Sequence, residues 1–125
     1  MTLKTNLPEK IVVKGAQGMI YSIFRNLTDN AIAYAGNNTQ VTITAERTSS
    51  AEWHFTFCDN GVGVEQKHLD RLFERFYRVD KGRSRKMGGT GLGLAIVKNA
   101  VLLHGGTIKV GNRPTGGLQF DFTLA

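Results

Sequence analysis

The order of apolar and polar residues predicts three helices. Apolar side chains recur three and four positions apart over 17–35, which places them on one helical face. A second apolar run over 92–103 predicts another helix, which ends at Gly105 and Gly106 because glycine readily adopts the left-handed conformation of a helix C-terminus. A shorter helix is predicted where four apolar residues fit one side: Leu69, Leu72, Phe73 and Phe76.

Strict alternation predicts strands that each bury one face. Apolar positions alternate with polar ones over 41–46 and again over 53–58. In the second strand, Cys58 is predicted to lie on the solvent-exposed face. The polar stretch RTSSA (47–51) between them predicts a hairpin. Further strands are predicted at Ile11–Lys14, around Ile108 and Val110, and over 118–124.

These elements predict an α+β fold. If each strand has one apolar face, the helices pack on that face, which gives a two-layer α/β sandwich with a mixed or antiparallel sheet of about five strands. The 125 residues are enough for one domain with its own core, and no repeat divides them, so residues 1–125 are expected to form a single domain.

Composition excludes several classes of protein. No apolar run reaches membrane-spanning length, and the first residues lack the layout of a signal peptide. Cys58 is the only cysteine, which excludes an internal disulfide and fits a reducing cytosol. We therefore expect a cytoplasmic domain.

Charge is concentrated in one segment. The net charge is +6, and eight of the 16 lysines and arginines lie in 67–86. This pattern is typical of a solvated helix face with a loop, and it also fits an anionic partner. A nucleic-acid interface is a third interpretation. Against it, acidic residues alternate with the basic residues of this segment, and no exposed aromatic residues are interleaved with them.

Two asparagines lie at the edge of the first predicted helix, in NLTDNAIAY (26–34). Asn26 and Asn30 are four residues apart and share one stripe. An amide oxygen of Asn30 is a suitable hard ligand for Mg²⁺, which keeps waters and phosphate oxygens in its other positions. Two exposed helix asparagines are the alternative.

A carboxylate ends the strand that runs into CDNGVGV (58–64). Asp59 has the parity of Trp53, Phe55 and Phe57, so it is predicted to point to the covered face, where it needs donors. The exocyclic amine of adenine is one such donor. A turn in which Asp59 caps its own backbone is the other interpretation.

Two more patches suit phosphate. Arg78 follows the short helix in LFERFYRVDKGRS (72–84), where it could reach a phosphate. In GGTGLGL (88–94), Gly91 and Gly93 would let backbone amides approach an anion at a helix N-terminus. The stretch lacks GK[ST] and follows a basic loop, so it is neither a Walker nor a Rossmann loop.

Together, the four patches resemble the catalytic and ATP-binding domain of bacterial sensor histidine kinases. That domain belongs to the GHKL superfamily, shared with gyrase-type topoisomerases, Hsp90 chaperones and mismatch-repair ATPases. NLTDNAIAY resembles its asparagine box, DNGVGV the first glycine box, LFERFYRVD the phenylalanine box and GTGLGLAIVK…LHGG the second glycine box, over about Ile11–Leu124.

The resemblance implies a Bergerat-type ATP-binding fold with ATP under a lid formed by 81–89. It implies that Asn26, Asn30 and Arg78 are catalytic and that Asn30, helped by Asn26, binds Mg²⁺. Asp59 would accept from the adenine amine, and Tyr34 would pack on the base. The implied ATP-binding set is Asn30, Tyr34, Asp59, Gly61, Gly63, Phe76, Arg78, Lys81, Gly89, Thr90, Gly91, Leu92, Gly93 and Leu94.

The sequence departs from the family pattern at three places. Ala33 stands where many relatives carry a lysine or arginine, which would either weaken ATP binding or shift phosphate contacts toward Arg83 and Arg85. KGAQ (14–17) lacks an aspartate that relatives often have, a difference we expect to be structural. None of the three histidines lies in the sequence motif of the phosphoacceptor. His54 and His68 are expected to be solvent-exposed, and His104 is expected to lie at a helix C-terminus, where the helix dipole favours histidine.

The expected function is transfer of the γ-phosphate of Mg·ATP to a histidine on a separate dimerisation domain, as in a two-component system. A response regulator receiver would act downstream. The isolated domain would be a monomer. Its parent would be a homodimeric sensor, of a kind that can be anchored in the inner membrane. Two alternatives stay open: a nucleotide-binding regulatory module without transfer activity, and a serine kinase of the anti-sigma-factor type.

Overall fold

A computed structural model describes residues 2–7, 15–34, 39–49, 52–77 and 92–124. In chain order the strands and helices are β1 Thr2–Asn6, α1 Gln17–Tyr34, β2 Gln40–Ser49, β3 Glu52–Asp59, α2 Gln66–Leu69, α3 Gly93–Leu103, β4 Ile108–Asn112 and β5 Leu118–Leu124. The two long helices, the hairpin and the last two strands are confirmed.

The described strands form one mixed five-stranded sheet in the order β1-β2-β3-β5-β4. β1 pairs with β2 in parallel, and the other three pairs are antiparallel. The predicted fold class is therefore confirmed. β1 was not predicted, and the strand predicted at Ile11–Lys14 lies outside the described residues.

The core lies between one sheet face and the helices. Ile23 and Leu27 of α1 and Val97 of α3 are fully buried against the sheet. The sheet contributes aromatic rings, of which Phe55 and Phe122 stack with centroids 5.3 Å apart. Burial of each such side chain contributes about 1.5–3 kcal/mol, so the inward alternation fixes the register of the strands.

His104 joins the end of α3 to the start of α1. Its Nε2 accepts a hydrogen bond from the Ala16 backbone N–H over 3.0 Å, and its Nδ1–H donates to the Ala100 carbonyl over 2.7 Å. This arrangement requires the neutral imidazole. A Cβ on Gly15 would lie 2.3 Å from the His104 ring. The glycine of KGAQ therefore leaves room for a side chain that caps α1, a structural role as expected.

The helix predicted over Leu69–Phe76 is wrong, because α2 spans Gln66–Leu69 and ends where the predicted run begins. After α2, the chain continues in three-residue turns, with Arg71 N–H donating to His68 O and Glu74 N–H donating to Arg71 O. This spacing keeps Leu69 and Leu72 buried. Phe76 takes a positive φ of 66° and is 65% exposed, so it does not share one side with the buried Leu69 and Leu72, as helical spacing predicted.

The outer sheet face is polar, and His54 lies in a network there. Its Nε2 is 3.1 Å from Asp121 Oδ1, which also accepts a bond from the Thr56 hydroxyl. His68 likewise bonds through Nδ1 to the Tyr77 hydroxyl. Both histidines are thus partly exposed, and each also has a hydrogen-bond partner that the sequence did not predict.

Candidate functional site

Four strand ends meet at one edge of the sheet. The register pairs Val41, at the start of β2, with Asp59, at the end of β3. It also pairs Asn112, at the end of β4, with Leu118, at the start of β5. α1 ends at Tyr34, shortly before β2 begins, so the second half of α1 leads to this edge.

Asp59 is buried at that edge, 5% exposed, on the covered face as its parity predicts. Its Oδ1 accepts hydrogen bonds from the backbone N–H groups of Gly61 (2.9 Å) and Leu118 (3.3 Å). The first bond is the Asx-type turn that the sequence left open. The turn interpretation is therefore confirmed, and a bond from adenine to Asp59 stays a prediction.

Both bonds that the described residues donate to the carboxylate end on Oδ1. The other oxygen, Oδ2, is thus available to a donor from a ligand, as far as the described part of the chain goes. A carboxylate at this depth gains most from a donor that fixes its position, because burial without a partner is costly.

Gly117 and Gly63 shape the surroundings of Asp59. A Cβ on Gly117 would lie 2.1 Å from the Asp59 carbonyl oxygen, and the residue has φ +91°. Gly63 has φ +70°, and its Cβ would meet Asn112 Oδ1 at 2.6 Å. Both positions require glycine. Sequence reasoning named Gly61 and Gly63 but missed Gly117, which lies in the stretch RPTGG (113–117).

Asn26 lies against the N-terminus of α3. A Cβ on Gly93, the first residue of α3, would lie 3.1 Å from Asn26 Oδ1. The Asn26 amide nitrogen donates to Ser22 O over 2.8 Å, which sets the orientation of the side chain. Asn26, on the asparagine stripe of α1, therefore lies beside Gly93 at the start of α3.

The start of α3 has the character of an anion site. Its N-cap residue, Leu92, provides no side-chain cap, and the first turn carries no acidic residue. The first backbone N–H groups of a helix lack partners within the helix and carry a partial positive charge. Leu94, one residue into α3, packs against the core and anchors this end.

Asn30 is half-buried, one turn beyond Asn26 on α1. No hydrogen bond joins its side chain to another residue in the described ranges. Those ranges contain no group of three or more histidine, cysteine, aspartate or glutamate residues that could hold a metal. An amide oxygen is a hard ligand that suits Mg²⁺, which takes few protein ligands and shares phosphate oxygens.

Several predicted site residues lie outside the described residues: Arg78, Lys81, Gly89, Thr90 and Gly91, together with the rest of the predicted lid over 81–89. Tyr34 is described only as the last residue of α1. Phe76, predicted to contact the nucleotide, is exposed. Its contact with a nucleotide stays a prediction.

Residues 15–125 match the family of histidine kinase-, DNA gyrase B- and HSP90-like ATPases. The chain belongs to this family. Membership supports ATP as the nucleotide that this domain binds.

Relatives of this ATPase domain include sensor histidine kinases. The chain is 40% identical over 124 residues to the sensor-like histidine kinase SenX3 of Mycolicibacterium smegmatis, with 99% of the chain and 32% of SenX3 covered. It therefore spans about a third of that relative. No helix in the described part of the ATPase domain is long and apolar enough to cross a membrane.

Solved structures share the fold over most of the chain. The mycobacterial sensor histidine kinase MprB superposes with a TM-score of 0.83 at 25% identity, covering 98% of this chain and 80% of MprB. Full-length ShkA in complex with AMPPNP superposes with a TM-score of 0.80 at 27% identity, covering 98% of this chain and 25% of ShkA.

Cys58, next to Asp59, provides a pH test of the packing at this edge. The structure buries Cys58, although alternation predicted the wet face. Its thiol contacts the Thr42 carbonyl at 3.7 Å. Burial raises the pKa of the Cys58 thiol, against a smaller lowering by the Arg113 cation.

A raised pKa means that the folded chain holds the thiol proton more tightly than the unfolded chain. This contribution to the free energy of unfolding is complete below the ordinary thiol pKa of about 8.5 and is lost as pH rises through the folded value. Denaturant titrations from pH 7 to 10 are expected to show this loss in the wild type and not in Cys58→Ser. If the free energy of unfolding falls equally with rising pH in both proteins, the raised pKa of the Cys58 thiol is contradicted.

Proposed function

We propose that the chain is the catalytic, ATP-binding domain of a sensor histidine kinase, which binds Mg·ATP and transfers the γ-phosphate to a histidine on a separate dimerisation domain. The observation that carries the proposal is the approach of Asn26 to the start of α3, in a fold that also buries Asp59 at the end of β3. The names of SenX3 and MprB support the histidine kinase branch.

Asp59 would read the base. Its free oxygen would accept a hydrogen bond from the exocyclic amine of adenine, while Gly61 and Leu118 hold the other oxygen. Gly61 and Gly63 would give the base room, and Tyr34 would pack on its face. Guanine presents a carbonyl where adenine has the amine, so the site would select ATP over GTP.

The α3 N-terminus and the asparagines would hold the phosphates. Backbone N–H groups from Gly91 to Gly93 would donate to phosphate oxygens, with Leu92 and Leu94 placing the turn. Asn30, with Asn26, would contribute amide oxygens to Mg²⁺, which would neutralise phosphate charge. From the region outside the described residues, Arg78, Lys81 and the segment 89–90 would complete the phosphate contacts.

Transfer would depend on placement rather than on a covalent enzyme intermediate. A nitrogen of the acceptor histidine attacks the γ-phosphorus, the bond to the bridging oxygen of the β-phosphate breaks, and ADP leaves with the electron pair. The role of this chain is to orient ATP and to stabilise charge on the transferred group.

The acceptor would lie on another domain, because the histidines of this chain are engaged elsewhere. His54 bonds to Asp121, His68 to Tyr77 and His104 to both Ala16 and Ala100. We infer a parent kinase that dimerises through a phosphoacceptor domain, places this domain in the cytoplasm and passes the phosphoryl group to a response regulator. Residues 1–125 would form one domain of that parent.

Calorimetry with ATP, with and without Mg²⁺, tests the binding half of the proposal against the remaining alternatives. We expect saturable ATP binding that Mg²⁺ strengthens, and weak DNA binding that disappears at moderate salt. Tight DNA binding without ATP binding would instead support a nucleic-acid interface on the basic segment 67–86. Serine phosphorylation of a partner would support the anti-sigma-factor type of kinase.

A further inference from the structure

The turn between β4 and β5 packs against the loop that follows Asp59. Asn112, the last residue of β4, contacts Val64 with both ends of its side-chain amide. The Val64 backbone N–H donates to Asn112 Oδ1 over 3.0 Å, and Asn112 Nδ2 donates to Val64 O over 2.6 Å. These two bonds fix the far end of the loop 59–64.

Arg113 fixes the near end of the same loop. Its Nη1 donates to the backbone carbonyl of Asp59 over 2.9 Å, although the two residues are 54 positions apart. The turn that carries Arg113 is closed by its own backbone bonds: Arg113 N–H donates to Gly117 O over 2.8 Å, and Gly116 N–H donates to Arg113 O over 3.0 Å. The guanidinium therefore projects from a well-defined turn.

These contacts leave the Asp59 backbone little freedom. Arg113 bonds to its carbonyl oxygen, and Gly117 packs so closely that a Cβ would lie 2.1 Å from the same atom. A rotation of that peptide would turn the carboxylate away from its present direction. A hydrogen bond donated by a ligand to Oδ2 would then be misaligned and weaker, because hydrogen bonds weaken steeply as their angle bends.

We propose that Asn112 and Arg113 are positioning residues that hold the Asp59 carboxylate in the orientation needed to select the adenine base. The inference rests on the proposed function, since it assigns base selection to Asp59. Neither residue would touch the nucleotide: each would act through the loop 59–64. The turn between β4 and β5 would thus be part of the ATP site without lining it.

Affinities for ATP and for GTP, measured by calorimetry in the presence of Mg²⁺, separate this role from a purely structural one. Arg113→Met keeps the aliphatic stem and removes the donor, and Asn112→Asp replaces the donor to Val64 O by an oxygen. We expect each to weaken ATP binding about tenfold, equivalent to about 1.4 kcal/mol, and to leave GTP binding nearly unchanged, so that the ATP preference narrows.

Two further variants serve as controls. Arg113→Lys retains a cation that can reach the Asp59 carbonyl and is expected to recover part of the preference. Lys109→Met removes a positive charge from β4 on the exposed outer face, opposite Asp121, and is expected to bind as the wild type does. Melting temperatures of all variants report whether each one folds.

A wild type that prefers ATP, with full preference kept in Arg113→Met and Asn112→Asp, would overturn this inference and leave the role of Asp59 standing. Equal loss of ATP and GTP binding in both variants would also overturn it, since that is the result of a general structural defect. A wild type that binds ATP and GTP equally would instead overturn base selection by Asp59, and this inference with it. If Arg113→Met does not fold, Asn112→Asp decides the outcome by the same criteria.

Discussion

Replacing Asp59 by asparagine is expected to weaken ATP binding by about 1–3 kcal/mol, the value of a hydrogen bond to a charged group together with the partner it leaves unmet. The change keeps the shape of the side chain and removes its charge. If the asparagine orients its amide nitrogen toward the base, it presents a donor to another donor. Gly61 and Leu118 still hold the other oxygen, so the fold is expected to survive.

Calorimetry with ATP and GTP measures this effect. The wild type is expected to bind GTP much more weakly than ATP, and Asp59→Asn is expected to lose most of that difference. Asp70→Asn removes an exposed carboxylate just after α2 and is the matched control, with both affinities unchanged. Equal affinities of the wild type for the two nucleotides would refute the assignment of Asp59.

Replacing Asn30 by alanine is expected to remove most of the Mg²⁺ dependence of nucleotide binding and to abolish transfer. The amide oxygen is the proposed protein ligand of the metal, and alanine offers none. The substitution also raises helix propensity, and Asn30 is only half-buried beside the core, so α1 is expected to stay folded.

ATP titrations over a range of Mg²⁺ concentrations show whether the metal still strengthens binding. Asn99→Ala, at an exposed position of α3, makes the same change away from the site and should behave as the wild type. Full Mg²⁺-dependent transfer by Asn30→Ala would exclude a metal role for this residue.

The sequence is most informative where a short-range rule applies. Alternation along β3 correctly predicts that Asp59 lies on the covered face, because side chains of a strand point to opposite faces in turn. Helical spacing locates α1 and α3 nearly to the residue. The same rules place Asn26 and Asn30 on one stripe.

Contacts between distant parts of the chain are not predictable in this way. β1 has only five residues and pairs in parallel with β2, so its place depends on a partner far along the sequence. The three-residue turns after α2 place Phe76 outside the core, where an α-helix would have placed it inside. Alternation also fails at Cys58, which lies on the polar face but is covered.

The turn between β4 and β5 illustrates the limit most clearly. Its sequence, RPTGG (113–117), predicts a turn but does not predict which residues the turn contacts. The contacts of Asn112 and Arg113 cross 48 and 54 positions and end on backbone atoms, which carry no sequence signal. Gly117 could have been suspected as a close-approach glycine, but the atom it approaches belongs to Asp59.

The most direct test of the central claim mixes this chain with a separately purified helical-hairpin domain that carries an acceptor histidine, in the presence of labelled Mg·ATP. We predict formation of acid-labile phosphohistidine on the hairpin and none on the chain itself. Labelling of the hairpin should be slow, because the two halves lack the tether that would raise their effective concentration. Omission of the hairpin should leave ATP bound and no protein labelled. Stable labelling of His54, His68 or His104 in the chain alone would contradict the account.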